Sequence, residues 1–217
     1  MINRTQGQSA GLTRDRIAAV AVDLVDRHGL DQFSVRRLAT AMGVDPMSIY
    51  NHIKGKAALL DAISAAVLAE AEAEITVPDP PGPWDDTARN LAYAYRGLAR
   101  KHPRVFPLLT TRAQTSPVAL TAIERLSEGM RRDGFPDRVI ADAPLTLFGF
   151  LSGYLLATLS TAPDETPVVP SFDATEYPTM ASLASLQADF GSQAEFDRML
   201  ETVLAGIRAA GQSRLHS

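Results

Sequence analysis

The chain has 217 residues, of which 46% are hydrophobic, so it is long enough to bury a substantial core in one or two domains. It contains no cysteine, which excludes a disulfide framework and a thiolate metal or redox site. The formal net charge of −4 is unevenly distributed: residues 1–56 hold eight Lys and Arg against five Asp, a balance of +3, and the remainder carries −7. A basic N-terminal segment on an acidic body is typical of a separate nucleic-acid-binding module.

Helical periodicity dominates the chain and no alternating apolar–polar run predicts a sheet, so we expect an all-α fold. The first helix is predicted to begin after the N-cap Thr13 and to end at Gly29 in a left-handed conformation. Ser34 is the expected N-cap of a second, short helix. Asp45 is the expected N-cap of a third, with Pro46 at its first helical position.

A fourth helix is predicted at residues 56–74, and the four prolines in residues 77–83 mark a boundary because proline lacks the amide hydrogen that a helix needs. Further helices are expected at residues 84–101, 104–110, 117–132, 136–160 and 177–188, with a loop at 162–178 and a last helix after the Ser192/Glu195 capping box. Pro144 is expected to end or kink the first turns of its helix. The pattern predicts two domains, residues 12–72 and residues 84–210.

Residues 34–53 have the pattern of a helix-turn-helix, in which a glycine-containing turn separates two short helices. The turn is Gly43-Val44-Asp45. The small residues Ala39 and Gly43 permit a close crossing, and the third helix is then held outward as a rod for the major groove of DNA. A three-helix packing motif with solvated polar residues remains the alternative.

The side chains around this third helix match base-edge and phosphate chemistry. Met47 suits a thymine methyl group, and the amide of Asn51 can pair with adenine. Arg36 is expected to reach a guanine or a phosphate, and Lys54 and Lys56 to neutralise phosphates. The predicted DNA-binding residues are Ser34, Val35, Arg36, Pro46, Met47, Ser48, Tyr50, Asn51, His52, Lys54 and Lys56.

A specific family pattern runs through residues 12–72. It consists of Ala21-x-x-Leu24, Gly29-Leu30-x-x-Phe33-Ser34-Val35-Arg36-x-Leu38-Ala39, Met42-Gly43-Val44 and Ser48-Ile49-Tyr50-x-His52-x-Lys54-x-Lys56-x-x-Leu59-Leu60. This segment resembles the DNA-binding domain of the tetracycline-repressor (TetR) family. The resemblance implies a homodimer whose two heads read a partly palindromic operator, usually to repress transcription. It also implies a C-terminal body that binds a small molecule, dimerises and releases DNA.

The body resembles the tetracycline-repressor subclass more weakly, through Trp84-Asp85-Asp86, Arg89-Asn90, Tyr95-Arg96, Thr111-Arg112 and Gly134-Phe135. The drug-contacting histidine and asparagine of that subclass are replaced here by Glu72 and Leu91, and its magnesium-binding histidine falls near Leu108. We therefore do not expect a tetracycline–magnesium complex as the effector. The effector is an unidentified small molecule.

Two surfaces are expected in the body. The predicted effector-binding residues are Tyr93, Tyr95, Phe106, Arg112, Gln114, Phe148 and Tyr154, which would line an apolar cavity with a few orienting polar groups. The last helix and the 136–160 helix carry wide apolar stripes, and Gly149-x-x-x-Gly153 allows close packing, so both are expected to pair with a symmetry mate as a four-helix bundle. Alternatively, both stripes are covered within one chain.

Neither a cofactor nor a metal nor an enzymatic activity is predicted. His28, His52, His102 and His216 show no paired metal-ligand spacing. No apolar run approaches the ~18–20 residues of a membrane span, so we expect a cytoplasmic protein without a membrane partner. Two alternatives remain open: a dimeric DNA-binding protein without an effector, and a helical small-molecule-binding protein whose head is only structural.

Overall fold

The computed structural model describes residues 11–74, 82–112, 115–159 and 172–212, and of residues 71–74 the backbone alone. These residues form ten α-helices and two short 3-10 helices, and no strand occurs among them. The predicted all-α class is therefore confirmed. The chain divides into two compact units, one of Met1–Glu74 with Lys101–Leu120 and the other of Ile75–Arg100 with Thr121–Ser217.

In chain order the helices are α1 (Arg14–His28), α2 (Val35–Met42), α3 (Pro46–His52), α4 (Gly55–Glu74), α5 (Trp84–Lys101), α6 (Phe106–Thr111), α7 (Pro117–Arg132), α8 (Asp137–Leu159), α9 (Pro178–Leu183) and α10 (Gln193–Gln212). The 3-10 helices are Leu30–Gln32 and Ala184–Gln187. The observed bounds of α5 and α7 coincide with those predicted from the sequence.

The first three helices begin where their capping side chains stand. The hydroxyls of Thr13 and Ser34 each accept a hydrogen bond from the amide three residues further on, at 3.2 Å. Asp45 Oδ1 accepts from the amide of Met47 at 2.8 Å, and Pro46 occupies the first helical position as predicted. Each cap satisfies an amide that the helix itself leaves without a partner.

Two glycines end helices of the first unit in different ways. Gly43 ends α2 in the left-handed helical region, with φ 67° and ψ 30°. Gly29 ends α1 with φ 81° and ψ 159°, so the expectation of a left-handed helical residue there is wrong in ψ. Its amide still donates to Val25 O at 2.7 Å, and the extended ψ directs the chain into the following 3-10 helix.

The core of the first unit lies between α1 and α4, which pack against each other along their apolar faces. Its fully or almost fully buried side chains are Ile17, Ala21, Val25, Leu38, Ile49, Ile53, Leu59, Ile63 and Val67. Residues 101–120 belong to the same unit, and α6 buries Phe106, Leu108 and Leu109. This core fixes the positions of the two short helices α2 and α3.

The second unit is built around α8 and α10, which pack through Leu147, Leu151 and Leu155 on one side and Phe196, Leu200 and Leu204 on the other. At one end Trp84 packs edge-on against Phe135, with ring centroids 5.2 Å apart. Gly211 of α10 meets the same Phe135 so closely that an added Cβ would lie 2.6 Å from the ring. The glycine therefore permits this approach.

Pro144 does not end α8, which continues without interruption from Asp137 to Leu159. Ile140, Ala143 and Leu147 are buried on one face across this point, and their packing offsets the hydrogen bond that proline cannot make. The predicted 177–188 helix is in fact α9 followed by a 3-10 helix. Most of the predicted 162–178 loop lies outside the described residues.

Within the described part of the chain, α8 is long and apolar enough to cross a membrane, with a mean hydropathy of 1.6 over 18 residues. By sequence alone, residues 145–159 are the nearest candidate for a span, but this run is too short and is interrupted by Thr146, Ser152 and Thr158. A core helix of a soluble protein has the same composition, and α8 packs against α10 along its buried face. Length and composition alone are weak grounds for a membrane span.

Candidate nucleic-acid interface

The side chains of α3 divide into a buried anchor and an outward face. Ile49 is 1% exposed and fixes the helix against the core. On the outward face, Met47 is 65% exposed and Tyr50 is 38% exposed, and Asn51 and His52 are exposed beside them. The two other predicted contacts on α3, Pro46 and Ser48, are half-buried. A short helix anchored on one side thus presents apolar, amide and imidazole groups to solvent.

The turn between α2 and α3 is held by backbone hydrogen bonds. The amide of Val44 donates to Ala39 O at 3.0 Å, and that of Ser48 donates to Asp45 O at 2.9 Å. Leu38 and Ala39 on the inner face of α2 are buried in the core of the first unit. Because both helices are anchored, α3 is presented as a rigid element, as a major-groove reader requires.

The adjacent arginines at the start of α2 have different surroundings. Arg37 Nη1 donates to both the backbone and the side-chain oxygen of Gln32, each at 3.1 Å. Arg36 is exposed and its side chain makes no hydrogen bond or ion pair with the described residues. Ser34 is exposed and Val35 is half-buried. The guanidinium group of Arg36 is therefore available to a partner.

Two lysines flank the start of α4. Lys54 and Lys56 are exposed, and neither has an ion-pair partner among the described residues. They stand on either side of Gly55, whose φ of 91° turns the chain from α3 into α4. The N-terminus of a helix presents free amides and a partial positive charge, so lysines and helix end favour an anion at the same place.

In the second unit, three of the predicted effector-binding residues lie in two separate groups of aromatic rings, one around Tyr95 and one around Tyr154. Tyr95 and Phe148 meet edge to face at 5.4 Å, and the hydroxyls of Tyr95 and Ser152 lie 3.4 Å apart. Tyr154 donates to Glu195 Oε2 at 2.9 Å and contacts the Phe196 ring at 5.7 Å. Burial raises the pKa of Tyr95, and burial together with Glu195 raises the pKa of Tyr154, so both phenols stay neutral at physiological pH.

Tyr93 joins the group around Tyr154, because its ring lies 5.8 Å from that of Phe196. It is 42% exposed, and its hydroxyl donates to Asp197 Oδ1 at 2.9 Å. The other predicted effector residues lie elsewhere. Phe106 and Arg112 belong to the first unit: Phe106 is fully buried, and Arg112 donates to Asp61 Oδ1 from Nε and Nη2 at 2.8 and 2.5 Å. Gln114 lies outside the described residues.

Sequence reasoning missed the contacts that Arg96 of α5 makes with the start of α10. The guanidinium carbon of Arg96 lies 4.9 Å from the centre of the Phe196 ring, and Arg96 also donates to Gln193 Oε1. Burial lowers the pKa of Arg96 from its ordinary value, although the side chain remains a cation. The pairing joins α5 to α10 across 97 residues, and no local pattern signals it.

Two short helices, α2 and α3, each have one buried face and are joined by a glycine-containing turn, which places the chain in the class of helix-turn-helix proteins. Two family models match it. Residues 17–63 match that of the bacterial regulatory proteins of the tetR family, and residues 77–210 match that of the tetracyclin repressor-like C-terminal domain. The chain belongs to the TetR family, as predicted.

Relatives with known names agree with this assignment. An HTH-type transcriptional regulator of Saccharopolyspora erythraea is 30% identical over 91% of this chain and 85% of its own length. The HTH-type transcriptional repressor DrrR1 of Streptomyces coeruleorubidus is 29% identical over 69% of this chain, and the match spans only 54% of DrrR1. The structure of ActR from Streptomyces coelicolor in complex with actinorhodin is 28% identical, with a TM-score of 0.81 over 94% of this chain and 98% of ActR.

The family and these relatives support the predicted function, that of a ligand-responsive DNA-binding transcriptional repressor. Members of the family are DNA-binding regulators and not enzymes, which confirms the prediction that the chain has no enzymatic activity.

Proposed function

We propose that this protein is a cytoplasmic, homodimeric repressor whose two α3 helices read a partly palindromic operator and whose body releases the DNA when it binds a small organic effector. The observation that carries the proposal is the outward face of α3, where Met47 and Tyr50 are exposed while Ile49 anchors the helix. An anchored helix that presents a thioether, a phenol and the amide of Asn51 on one face offers the groups that contact base edges in the major groove.

The proposed DNA contacts divide by chemistry. On α3, Met47 contacts a thymine methyl group, Asn51 pairs with a base edge, and Tyr50 bonds the backbone of the DNA through its hydroxyl. Arg36, whose side chain has no intramolecular partner among the described residues, reads a guanine or binds a phosphate. Lys54 and its neighbours at the start of α4 neutralise phosphates. Base contacts set the sequence preference, and phosphate contacts set the register.

The proposed dimer surface is the outer side of α8 and α10. Only 28% of the apolar 18-residue window of α8 is buried within one chain. Leu145 is 79% exposed, and Gly149 and Gly153 follow it at one-turn intervals on the same exposed face. On α10, Met199 and Gly206 are exposed. Small and apolar residues repeating at four-residue spacing on paired helices suit a symmetric four-helix contact.

The proposed effector site lies among the aromatic rings of the second unit, where the phenols of Tyr95 and Tyr154 are neutral and the Arg96 cation stacks on Phe196. Such a lining suits a flat organic molecule that carries a few polar groups. ActR, which is similar in fold, holds actinorhodin. A tetracycline–magnesium complex is disfavoured, because the buried apolar side chain of Leu108 cannot ligate a metal ion.

DNA binding is tested by equilibrium titration of duplex DNA from upstream of the protein's own gene at rising salt. Binding should weaken steeply as salt increases, since phosphate contacts release counterions. Lys54→Ala should lower the slope of log K against log salt by about one unit, because the variant neutralises one phosphate fewer. The control is Arg138→Ala, which removes an exposed arginine of the second unit and should leave the slope unchanged. A salt-independent affinity would contradict the proposal.

Effector binding is tested by a thermal-shift screen of organic molecules that includes actinorhodin. A ligand of the native state raises the melting temperature. A true effector must also release the operator, because only differential affinity for the two states shifts the equilibrium. If stabilising ligands leave operator affinity unchanged, the protein is instead the effector-independent DNA binder that the sequence left open.

A further inference from the structure

His102 lies just after α5, and its ring stands between carboxylates of two helices of the first unit. Nδ1 is 2.5 Å from Asp26 Oδ2 at the end of α1, and Nε2 is 3.1 Å from Glu70 Oε2 on α4. The residue is 7% exposed. No sequence signal pointed to this arrangement, because His102 is separated from the two carboxylates by 76 and 32 positions.

Both ring nitrogens of His102 face carboxylate oxygens, and the protonation state of the ring decides whether both contacts can form. A neutral imidazole carries one N–H, so it donates to one carboxylate and directs a lone pair at the other. An imidazolium donates to both. The geometry, with both nitrogens at hydrogen-bond distance, therefore fits the doubly protonated ring.

Two neighbouring cations, Lys101 and Arg104, contact the same region, but neither lies between Asp26 and Glu70 as the His102 ring does. Lys101 Nζ lies 2.5 Å from Glu70 Oε2, and Arg104 donates to the backbone carbonyls of Asp26 and Arg27, not to a carboxylate. Burial raises the pKa of Glu70, but hydrogen bonds from Lys101 and His102 outweigh it and lower that pKa overall, so Glu70 remains ionised.

Asp26 depends more strongly on the ring than Glu70 does. Its Oδ1 atom is buried and has no hydrogen-bond partner within the described ranges, while Oδ2 has its contact with His102. A buried, incompletely satisfied carboxylate is costly unless a cation lies beside it. Loss of the ring's charge would therefore loosen the attachment at the end of α1 first.

We infer that His102 is a positioning residue for DNA binding, and that its doubly protonated ring ties α1 to α4 so that operator affinity falls as pH rises and the ring loses a proton. The inference rests on the proposed function, because α1 packs against both α2 and α4, and Lys56 near the start of α4 is one of the proposed phosphate contacts. A doubly protonated ring donates to both carboxylates and a neutral ring to only one, so loss of the proton weakens the tie.

The experiment compares operator affinity at pH 6.5 and 8.5, at constant ionic strength, by fluorescence anisotropy. The wild type and His102→Gln are compared side by side, so any contribution of the exposed His52 on α3 is common to both. Between pH 6.5 and pH 8.5 the wild type should lose at least about threefold more affinity than His102→Gln does, within the tenfold per pH unit that one linked proton allows.

A second variant keeps the test decisive if His102→Gln does not fold. In Glu70→Gln the side-chain amide can donate to a neutral ring nitrogen or accept from a protonated one, so the tie no longer needs the second proton. This variant should fold and should show a flattened pH profile. Glu124→Gln, on the exposed face of α7, is the matched control and should keep the full pH dependence.

The outcomes separate the inference from the proposed function. If operator binding falls with pH equally in the presence and absence of His102, the inference is wrong while the DNA-binding function stands. If no variant binds specific DNA at any pH, the proposed function is wrong, and the positioning role is overturned with it. Loss of the pH dependence in both His102→Gln and Glu70→Gln supports the inference.

Discussion

Two adjacent arginines illustrate how single side chains divide between structure and recognition. Arg37 is held by Gln32, whereas the Arg36 side chain has no intramolecular partner among the described residues. A guanidinium group without a partner keeps its planar fork for a bidentate contact with guanine or phosphate. The difference predicts that Arg36 acts on recognition and Arg37 on the local structure of the head.

Arg36→Ala should therefore relax sequence preference, with a loss of about 1–3 kcal/mol of discrimination at one base pair if the contact is to guanine. Competition binding against single-base operator variants measures this directly. Arg37→Ala is the matched control and should preserve the preference. A uniform loss of affinity over all operator variants would show that Arg36 contacts phosphate instead.

Tyr50 and Ile49 are neighbours on α3 with opposite surroundings, 38% and 1% exposed. Tyr50→Ala should weaken operator binding and lower the melting temperature much less than Ile49→Ala does, because the tyrosine is partly exposed and the isoleucine is fully buried. Ile49→Ala removes a fully buried side chain and should cost about 2–5 kcal/mol of unfolding free energy. If Tyr50→Ala unfolds the head, the assignment of its outward face is incorrect.

At the scale of elements, the sequence predicted helices well where the signals are local. The caps Thr13, Ser34 and Asp45 form as expected because each acts within three residues. The predicted Ser192/Glu195 capping box forms only in part: Ser192 accepts from the Glu195 amide, but Glu195 accepts from the amide of Gly191 and from Tyr154. The hydrogen bond from Tyr154 holds the Glu195 carboxylate away from the amide of Ser192, which a complete capping box would use.

Long-range contacts set the features that the sequence could not predict. Arg112, proposed for the effector site, is tied to Asp61 across 51 residues, and the predicted Phe106 is enclosed in the first unit. Pro144 continues a helix because the packing of α8 outweighs its missing amide hydrogen. Helical periodicity gives the face of a helix but not its neighbours. The predicted DNA-binding residues share one local motif, whereas the predicted effector residues depend on contacts between distant elements.

The junction of α10 with Phe135 provides a test of packing at the element scale. Gly211→Ala would place a Cβ 2.6 Å from the Phe135 ring, which itself packs against Trp84. We expect a cost of about 1–3 kcal/mol in unfolding free energy, measured by denaturant titration. Gly97→Ala on the exposed face of α5, where nothing lies within 4 Å, is the control and should be neutral or stabilising. Equal effects at both positions would contradict the close packing.

At the scale of the whole molecule, the exposed apolar face of α8 predicts self-association. Leu145→Glu should shift the protein from dimer to monomer in light scattering coupled to size exclusion, because a charge would be buried at a symmetric contact. Leu120→Glu is the matched control, since Leu120 is 54% exposed but lies on α7. A dimer that tolerates Leu145→Glu would show that another surface forms the contact.

The charge distribution also acts at this scale. The balance of +3 over residues 1–56 favours association with DNA, whereas the remaining chain, at −7, does not. The proposed dimer would bring two such basic segments to one duplex. Sequence-specific binding by such a molecule requires the spacing of the heads to match the helical repeat of DNA.

The central claim, that two copies of the exposed helix α3 read DNA together, is tested most directly by selecting bound sequences from a random duplex library with the full-length protein. The account predicts enrichment of a partly palindromic sequence whose half-sites are centred about one helical turn, or a multiple of it, apart, and loss of that enrichment with Tyr50→Ala. Recovery of no preferred sequence, or of a single asymmetric half-site bound by the monomer, would contradict it.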